Sequence, residues 1–455
     1  MPDQYPKIIL RLGTHAEKEY FEKLGARFDG IIIGANLVES TPGASASLIV
    51  KFCGDKQDLE YYVDPMTYAF GTYVDPSSGE TRDDLDWIKS DQRVKGKSKP
   101  VRKFKRSYRK LAERFGEPFQ DAILSSKALT PDVVGDKRTV RRICDAVVSY
   151  QLRRIREEFE GDQEYADFAD EVPQPTAVIA PYFYIEPSAA GEWMTVNAAL
   201  AAEAVRICKD IPVHALVCAP RELLLDATFQ QWISEIIVAT GVKGIWLWFS
   251  KFDENTAKRT ELTALRNLVG DLGEKGLFIL NLHGGFFSLA LHSFGLSGIS
   301  HGVGYGEQKD VVPVIGQSTP TVNYYLPALH RRLNFLEIER CFTKLKIRTV
   351  EEFCDLICSC TICKGVLRGG LDKFSEFGEK HLSTPSSKRE AQTPAAAKRC
   401  RFHFLLNRSK ERKWVGSVEL ADIIERLSRD AELWEATSLS EKTSQLQKWV
   451  SVLSE

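Results

Sequence analysis

Eight short runs of mostly apolar residues, largely separated by amphipathic stretches, constrain the fold of this 455-residue chain more than any other feature. Some runs are almost continuously apolar, such as "GIWLWF" at 244–249, and this pattern is typical of parallel strands buried on both faces. The eight runs are residues 8–13, 29–33, 59–64, 176–183, 213–219, 244–249, 277–282 and 298–304. Eight strands alternating with helices predict an α/β fold, a (β/α)8 TIM barrel, with a doubly wound open sheet as the alternative. The run at 45–54 predicts one more strand, inside a connection.

The ten cysteines of the chain are interpreted through the compartment that the rest of the sequence predicts. No apolar run reaches the roughly 18–20 residues that a membrane span needs. The first residues, "MPDQYPKIILRLG", lack the apolar core of a signal peptide. We therefore expect a cytoplasmic protein that does not bind a membrane and whose thiols stay reduced.

Three cysteines, Cys358, Cys360 and Cys363, have the spacing C-x-C-x2-C within "FCDLICSCTICKG". Reduced thiols with this spacing predict a metal site rather than a disulfide framework. Thiolates favour Zn²⁺, which takes four ligands in structural sites. Candidates for the fourth ligand are Cys354, which would crowd the group, His381, Cys400 and His403. Three buried thiols without a metal are the alternative.

Positive charge is concentrated between residues 93 and 114, although the whole chain has a net charge of −1. This segment, "RVKGKSKPVRKFKRSYRKLAER", holds eleven Lys or Arg and one acid, Glu113. A solvated helix with a basic face would explain it. The local concentration of charge favours a patch that contacts nucleic-acid phosphates, with Phe104 and Tyr108 available for stacking on bases. The predicted phosphate contacts are Lys103, Lys105, Arg106 and Arg109.

These features divide the chain into four predicted parts. The barrel is expected to comprise residues 1–74 and 173–345, interrupted by a mainly helical basic insertion at 75–172. Residues 346–455 are expected to form a C-terminal zinc-binding subdomain followed by helices. Within this last part, "STPSSKREAQTPAAAK" at 383–398 is of low complexity and predicts a mobile loop.

Four segments, together with the thiol spacing, resemble the tRNA-guanine transglycosylase family. The segment "RLGTHAEKEYFEKLGARFDGIIIGANL" is similar to the family's opening, and "YYVDPMTYAFG" is similar to its D-S-G-G-F-Q segment. "GIWLWFSKFDE" takes the place of the substrate-contacting G-G-L-A-V-G-E loop, and "LFILNLHGGFFSLALHSFGLSGISHG" resembles the strand, turn and helix that lead to the nucleophilic Asp. The resemblance covers most of the chain and implies a (β/α)8 barrel that carries a structural zinc.

The resemblance also implies roles for particular residues. In the family, C-x-C-x2-C and a distant His that opens a helix hold the zinc. His403 begins "HFLLNRSKERKWV" and is therefore implied as the fourth ligand, with Cys400 as the runner-up. The family's Asp that acts at the exchanged base corresponds to Asp64. The implied cofactor is Zn²⁺, and the implied activity is that of a glycosyltransferase, a transglycosylase that replaces guanine.

Three departures separate the chain from the family members that act on tRNA. The match to G-G-F-Q ends after Asp64, bulky residues replace the G-G-L-A-V glycines, and the slot of the nucleophilic Asp falls near Ser300 or His301. In these respects the chain resembles the divergent branch that modifies DNA with 7-deazaguanine bases, the DpdA group. That resemblance implies exchange of guanine for a preQ0-like base, with DNA, a 7-deazaguanine base and proteins of a DNA-modification system as partners. The alternatives are the same exchange in tRNA, and a non-catalytic zinc-stabilised nucleic-acid-binding protein on a degenerate barrel.

Base exchange requires a carboxylate at the sugar carbon and groups that move protons on the two bases. In a barrel such groups are expected at the C-terminal ends of the strands. The candidate carboxylates are Asp64 after the third strand, Asp253 after the sixth and Glu307 after the eighth. The candidates for contact with the base are Tyr182, His283 and His301, since aromatic stacking holds unstacked bases. Structural roles are the alternatives: a helix or turn cap for Asp64, a solvated loop for Asp253, the core for Tyr182, and a satisfied structural histidine for each of His283 and His301.

Overall fold

Eight parallel strands form the centre of the protein in a computed structural model. The structure describes residues 5–14, 17–24, 27–54, 59–75, 77–161, 164, 166–312, 321–382 and 390–455. Every strand overlaps one of the eight predicted apolar runs, and most strand residues are buried. The strands are β1 (Lys7–Leu12), β2 (Gly30–Gly34), β3 (Glu60–Asp64), β4 (Val178–Ile179), β5 (Val213–Pro220), β6 (Gly244–Ser250), β7 (Phe278–Asn281) and β8 (Gly298–His301).

The order of the strands is that of a barrel. It runs β3-β2-β1-β8-β7-β6-β5-β4, and every neighbouring pair is parallel. The first strand thus pairs with the last, with Ile9 opposite Ser300. The remaining gap lies between β3 and β4, where the Thr176 N–H donates to the Tyr61 carbonyl at 3.0 Å. The sheet is a nearly closed barrel, and the predicted (β/α)8 architecture is confirmed over the open-sheet alternative.

Aromatic side chains fill the barrel interior. Trp246 on β6 lies 5.1 Å from Tyr62 on β3, measured between ring centroids. Trp248, two residues later, lies 5.1 Å from Tyr68, which follows β3. Because alternate residues of a barrel strand point inward, these contacts define a lower layer at Trp246 and an upper layer at Trp248. The upper layer lies beneath the C-terminal ends of the strands, where a barrel carries its site.

Helices surround the barrel and continue beyond it. The helix that spans Pro42–Cys53 replaces the additional strand predicted at 45–54, so that prediction is wrong. Its buried residues, among them Ala46, Leu48, Ile49 and Phe52, recur every three to four positions, and Pro42 stands in the first turn, where it favours a helix. The other helices before β8 are Lys18–Leu24, Ala35–Ser40, Arg106–Phe115, Phe119–Ser125, Pro131–Val134, Lys137–Glu160, Ala190–Ile207, Ala227–Gln231 with its π-helical continuation Trp232–Ile237, Arg259–Gly273 and Phe286–Ala290.

The segment between β3 and β4 contains two hairpins as well as helices. Strands Tyr73–Val74 and Thr81–Arg82 pair, as do Lys89–Gln92 and Val101–Phe104. The 24-residue helix Lys137–Glu160 then packs against the helices on either side of it, Pro42–Cys53 and Ala190–Ile207. It therefore occupies the position of the barrel helix between β3 and β4.

The C-terminal region packs against the barrel through a long helix, Pro394–Val415, which contacts β1. Part of the predicted loop at 383–398 belongs to it, since Thr393 caps the helix and Pro394 opens it. Residues 383–389 lie outside the described residues. The remaining elements are hairpins Tyr324–Leu326 with Arg331–Leu333 and Lys380–Leu382 with Glu390–Gln392, and helices Phe335–Glu339, Val350–Leu356, Thr361–Val366, Leu420–Glu435 and Ser440–Leu453. Within the described ranges, none of the helices combines the length and the apolar character needed to cross a membrane.

Candidate metal centre and barrel-mouth cavity

Cys358, Cys360, Cys363 and His403 form one buried group. A ligand atom from each lies within 4.8 Å of the other three. His403 Nδ1 is 3.2 Å from Cys363 Sγ, 3.3 Å from Cys360 Sγ and 3.9 Å from Cys358 Sγ. Three sulfurs and one imidazole nitrogen around a common point suit a tetrahedral metal ion. The prediction that these four residues could bind a metal is confirmed.

Local backbone structure orients the sulfurs. Cys360 is the N-cap of helix Thr361–Val366, and its sulfur accepts the Cys363 N–H at 3.4 Å. The Cys358 sulfur accepts the Cys360 N–H, also at 3.4 Å. Hydrogen bonds from the Cys360 and Cys363 side chains lower the pKa of Cys358. The thiolate that this favours is the form of cysteine that binds metals.

His403 is oriented by a second hydrogen bond. Its Nε2 lies 2.6 Å from the Tyr325 carbonyl, which can only accept, so Nε2 carries the proton. Nδ1 faces the three sulfurs, where its lone pair would bind a metal ion, the arrangement expected of a metal-binding histidine. The ring of Tyr324 stacks on His403 at 4.1 Å. His403 lies in the middle of helix Pro394–Val415 and does not open it, which corrects the helix start implied by the resemblance.

The other candidate ligands lie outside the group. Cys400 is fully buried one turn before His403, and its sulfur donates to the Phe377 carbonyl at 3.4 Å. His381 is exposed on strand Lys380–Leu382. Cys354 is only half-buried, on the helix before the thiol cluster. Of the proposed fourth ligands, His403 is therefore the one that the fold brings to the three cysteines.

A buried ion-pair network extends from the His403 helix towards the barrel. Arg408 is fully buried and pairs with Glu411 at 2.8 Å and with Glu307. Glu307 also accepts from Arg332 Nε at 3.0 Å. Burial opposes ionisation, but Arg332 and Arg408 together lower the pKa of Glu307. Both oxygens of this predicted catalytic carboxylate are thus used in ion pairs, and Glu307 is absent from the described residues that line the cavity at the barrel mouth.

That cavity has a volume of about 410 Å³ and lies at the C-terminal ends of β1, β2, β7 and β8. Its size falls in the range of small-molecule sites, roughly 300–1,000 Å³. The side chains that bring charge or hydrogen-bonding groups to it include Arg11, Glu17, Ser107, His283 and Lys309.

Asp64 stands at the predicted strand end but is fully buried behind Arg11. Its Oδ2 pairs with Arg11 Nη2 at 2.6 Å. Its Oδ1 accepts from the Tyr182 hydroxyl and from the Met66 N–H, both at 2.9 Å. Arg11 lines the cavity and Asp64 does not. In this structure Asp64 holds the guanidinium at the cavity wall.

Lys309 follows β8 and lies over the upper aromatic layer. Its Nζ is 5.2 Å from the centre of the Trp248 ring. Burial and the neighbouring Arg11 lower the pKa of Lys309 to about 7, although Asp64 opposes this shift. A lysine beside a second cation and away from bulk water loses its proton more easily than a surface lysine.

His283, after β7, presents a free ring nitrogen to the same cavity. Its Nδ1 is 2.9 Å from the Gly306 carbonyl, so Nδ1 carries the proton. Nε2 is buried and has no hydrogen-bond partner among the described residues. Burial lowers the pKa of His283 well below its ordinary value. Nε2 is therefore a hydrogen-bond acceptor without a donor among the described residues.

Three other predicted site residues do not reach the cavity. Asp253 closes a turn, because its carboxylate accepts from the Asn255 N–H at 3.0 Å and from the Thr256 hydroxyl at 3.2 Å. Tyr182 is buried and stacks at 5.6 Å on the ring of Tyr68 in the barrel core. His301 is fully buried, 5.0 Å from the ring of Phe404, and burial lowers its pKa to about 4. Asp253 and Tyr182 are thus held in structural positions, whereas His301 Nε2, like His283 Nε2, is buried and has no hydrogen-bond partner among the described residues.

The carboxylate of Glu254, the residue after Asp253, is held by more hydrogen bonds than that of Asp253. Glu254 is buried and accepts from the N–H groups of Gly285 at 2.9 Å and Phe287 at 3.0 Å, which fixes the start of helix Phe286–Ala290. Burial raises its pKa to about 7. Its backbone carbonyl accepts from the Trp449 indole at 3.0 Å. Glu254 therefore joins the β6 and β7 loops to the C-terminal helix.

The basic segment borders the cavity through helix Arg106–Phe115. Ser107, in its first turn, lines the cavity, and Arg106 and Arg109 are exposed on the same helix. Lys103 is exposed on strand Val101–Phe104, and Lys105 is half-buried at the helix N-cap. Tyr108 is only 6% exposed and packs on Phe70, so the expectation that it stacks on a base is wrong.

Sequence reasoning missed Arg11, Glu17 and Lys309. Arg11 had a signal, because it is a charged residue inside the predicted apolar run 8–13. Glu17 and Lys309 lie in connections and had none. Comparison with protein-family models, with curated proteins and with solved structures finds no match to this chain. A function therefore has to be inferred from the barrel, the Cys3His group and the cavity.

Proposed function

We propose that this protein is a zinc-stabilised transglycosylase that exchanges guanine for a 7-deazaguanine base in DNA. The observation that carries the proposal is a buried Cys3His group that follows an eight-stranded parallel barrel. These are the two structural features that the resemblance to guanine transglycosylases implies. Zinc is the metal that best suits three thiolates and one imidazole in a closed structural site.

Base exchange requires negative charge near the sugar and proton acceptors near the base. The bond between guanine and C1′ breaks with its electron pair leaving on guanine, which takes up a proton. The entering base gives up its N–H proton and forms the same bond. Positive charge develops at C1′ in between, and Asp64 is the carboxylate that the resemblance assigns there. Its pair with Arg11 has to open before the carboxylate can face the sugar. We assign His283 Nε2, an acceptor without a partner among the described residues that line the cavity, to the N–H proton of the entering base.

The test is incorporation of a labelled 7-deazaguanine base into duplex or single-stranded DNA, with tRNA as the comparison. We expect Asp64→Asn to lower incorporation at least about 10²–10⁴-fold, since the amide keeps the shape but not the charge. Asp253→Asn is the matched control, because the same change falls on a turn outside the cavity, and it should retain activity. Glu17→Gln tests the carboxylate that itself lines the cavity. Full activity in Asp64→Asn would contradict its assignment.

A non-catalytic nucleic-acid-binding protein is the second candidate. The observation that favours it is that Asp64 and Glu307 are both ion-paired and that Ser300 and His301 fill the strand-eight slot. Wild-type protein that binds nucleic acid but incorporates no base into DNA or tRNA would support this candidate. If the protein incorporates the base into tRNA alone, the substrate is tRNA and not DNA, and the proposed base exchange stands.

A further inference from the structure

The two cations at the barrel mouth are incompletely paired. Arg11 and Lys309 both line the cavity, and Asp64 pairs only with Arg11 Nη2. Arg11 Nη1 is buried and has no hydrogen-bond partner among the described residues. Lys309 Nζ has no hydrogen bond or ion pair there either and lies 5.2 Å from the centre of the Trp248 ring. A buried donor such as Arg11 Nη1 is costly unless something accepts its hydrogen bond.

The acid that also lines the cavity is already engaged. Glu17 Oε2 accepts from the Gly13 N–H at 2.8 Å. Burial raises the pKa of Glu17, and the Gly13 and Thr14 N–H groups and the nearby Arg401 oppose this shift. Glu17 is therefore held at the β1 loop and leaves the charge of Lys309 without a partner in the cavity.

A third donor group comes from the basic segment. Ser107 lines the cavity from the first turn of helix Arg106–Phe115, a ten-residue helix that has no side-chain N-cap. The N–H groups at such a helix start and the positive end of the helix dipole attract anions. The exposed side chains of Arg106 and Arg109 lie on the same helix and form no ion pair with a described residue. Positive charge thus continues outward from the cavity.

We infer that the barrel-mouth cavity binds a phosphate group of a nucleic-acid backbone through Arg11 and Lys309, with the start of helix Arg106–Phe115 on the same wall. A guanidinium fork, an ammonium and a helix N-terminus are the donors that proteins use for phosphate. A bound phosphate accepts from Arg11 Nη1 and neutralises Lys309. The phosphate site rests on the charges of the cavity. Its assignment to a backbone rests on the proposed function.

The experiment compares probes that differ only by a phosphate. Isothermal titration with deoxyguanosine 5′-monophosphate and with deoxyguanosine is expected to show affinity at least about tenfold higher for the phosphate-bearing probe. Lys309→Gln should remove about tenfold of that affinity and leave deoxyguanosine unchanged. Lys251→Gln is the matched control, because Lys251 lies on a neighbouring loop, pairs with Asp310 at 3.7 Å and does not line the cavity. The two wild-type titrations remain decisive even if Lys309→Gln fails to fold.

Equal affinity of the wild-type protein for the two probes would overturn the inference, and so would equal losses in Lys309→Gln and Lys251→Gln. A short single-stranded oligonucleotide distinguishes the source of the phosphate. If Lys309→Gln weakens binding of the oligonucleotide, a backbone phosphate occupies the site. If the variant weakens only binding of the monophosphate, the ligand is a free nucleotide and the assignment to a backbone is overturned. Base incorporation is measured separately. If the protein prefers the phosphate-bearing probe but incorporates no base, the proposed base exchange is wrong and the phosphate site stands.

Discussion

The Cys3His group and the barrel-mouth cavity are both polar sites in a buried environment, but they differ in how completely their atoms are paired. At the metal group the three sulfurs and His403 Nδ1 converge on one point, and the other ring nitrogen of His403 has a carbonyl partner. At the cavity, Arg11 Nη1 and His283 Nε2 have no partner among the described residues. Buried polar atoms are almost always paired in native proteins. The difference supports our proposals that the first site serves the fold and that the second binds a ligand.

The two sites are connected through one helix. Pro394–Val415 carries His403, and one turn later it carries Arg408, which pairs with Glu307 in the loop after β8. Lys309 lies two residues beyond Glu307 in the same loop. A metal that fixes this helix therefore also fixes the loop from which Lys309 reaches the cavity.

The largest effect is expected from removal of the metal group. Cys360→Ala should abolish binding of the one zinc per chain that we propose and unfold the C-terminal region, because structural zinc contributes on the order of 10 kcal/mol to small domains. Metal analysis and thermal unfolding measure the two effects. Cys400→Ala is the matched control, since Cys400 is as buried as Cys360 and lies on the helix that carries His403, but outside the group. It should keep the zinc. Freshly purified wild-type protein without zinc would contradict the assignment of the metal.

A smaller effect is expected from the network between the two sites. Glu307→Gln leaves the fully buried Arg408 without one of its two carboxylates. Breaking a buried ion pair on one side costs about 3–5 kcal/mol. We expect the free energy of unfolding in urea to fall by this amount while zinc is retained. Glu222→Gln, in an exposed pair with Arg221, should cost less than about 1 kcal/mol. Equal losses in the two variants would mean that the network does not stabilise the fold.

Sequence reasoning predicts well those parts of the molecule that depend on residues close together in the sequence. The barrel strands are continuous apolar runs, and Cys358, Cys360 and Cys363 lie within six positions, so neither requires knowledge of distant contacts. The error at 45–54 has the same origin, because a short apolar run fits a strand and a buried helix alike until the spacing of its buried residues is known.

The barrel mouth could not be predicted in this way, because long-range ion pairs build it. Asp64 is paired with Arg11, 53 positions away, and Glu307 with Arg408, 101 positions away. A carboxylate at a strand end looks catalytic in the sequence whether or not an arginine from another element neutralises it. Lys309 is the converse case, since its lack of a carboxylate partner appears only in the folded protein. Charge pairing between distant residues is therefore the information that the sequence patterns lack.

The smallest effect is expected at the outer edge of the cavity and would sharpen its assignment to nucleic acid. Lys103, Arg106 and Arg109 are exposed, and Lys105 is half-buried at the start of the helix that reaches the cavity. Each phosphate contact that a cation neutralises contributes about 0.7–0.9 to the slope of log affinity against log salt concentration. Replacing all four by neutral residues should therefore lower the steepness of the slope by up to about 2.8–3.6, while the affinity for deoxyguanosine 5′-monophosphate, bound deeper at Lys309, should change little. Fluorescence anisotropy with a labelled oligonucleotide between low and physiological salt measures the slope. An unchanged slope would assign these four cations to a solvated basic surface.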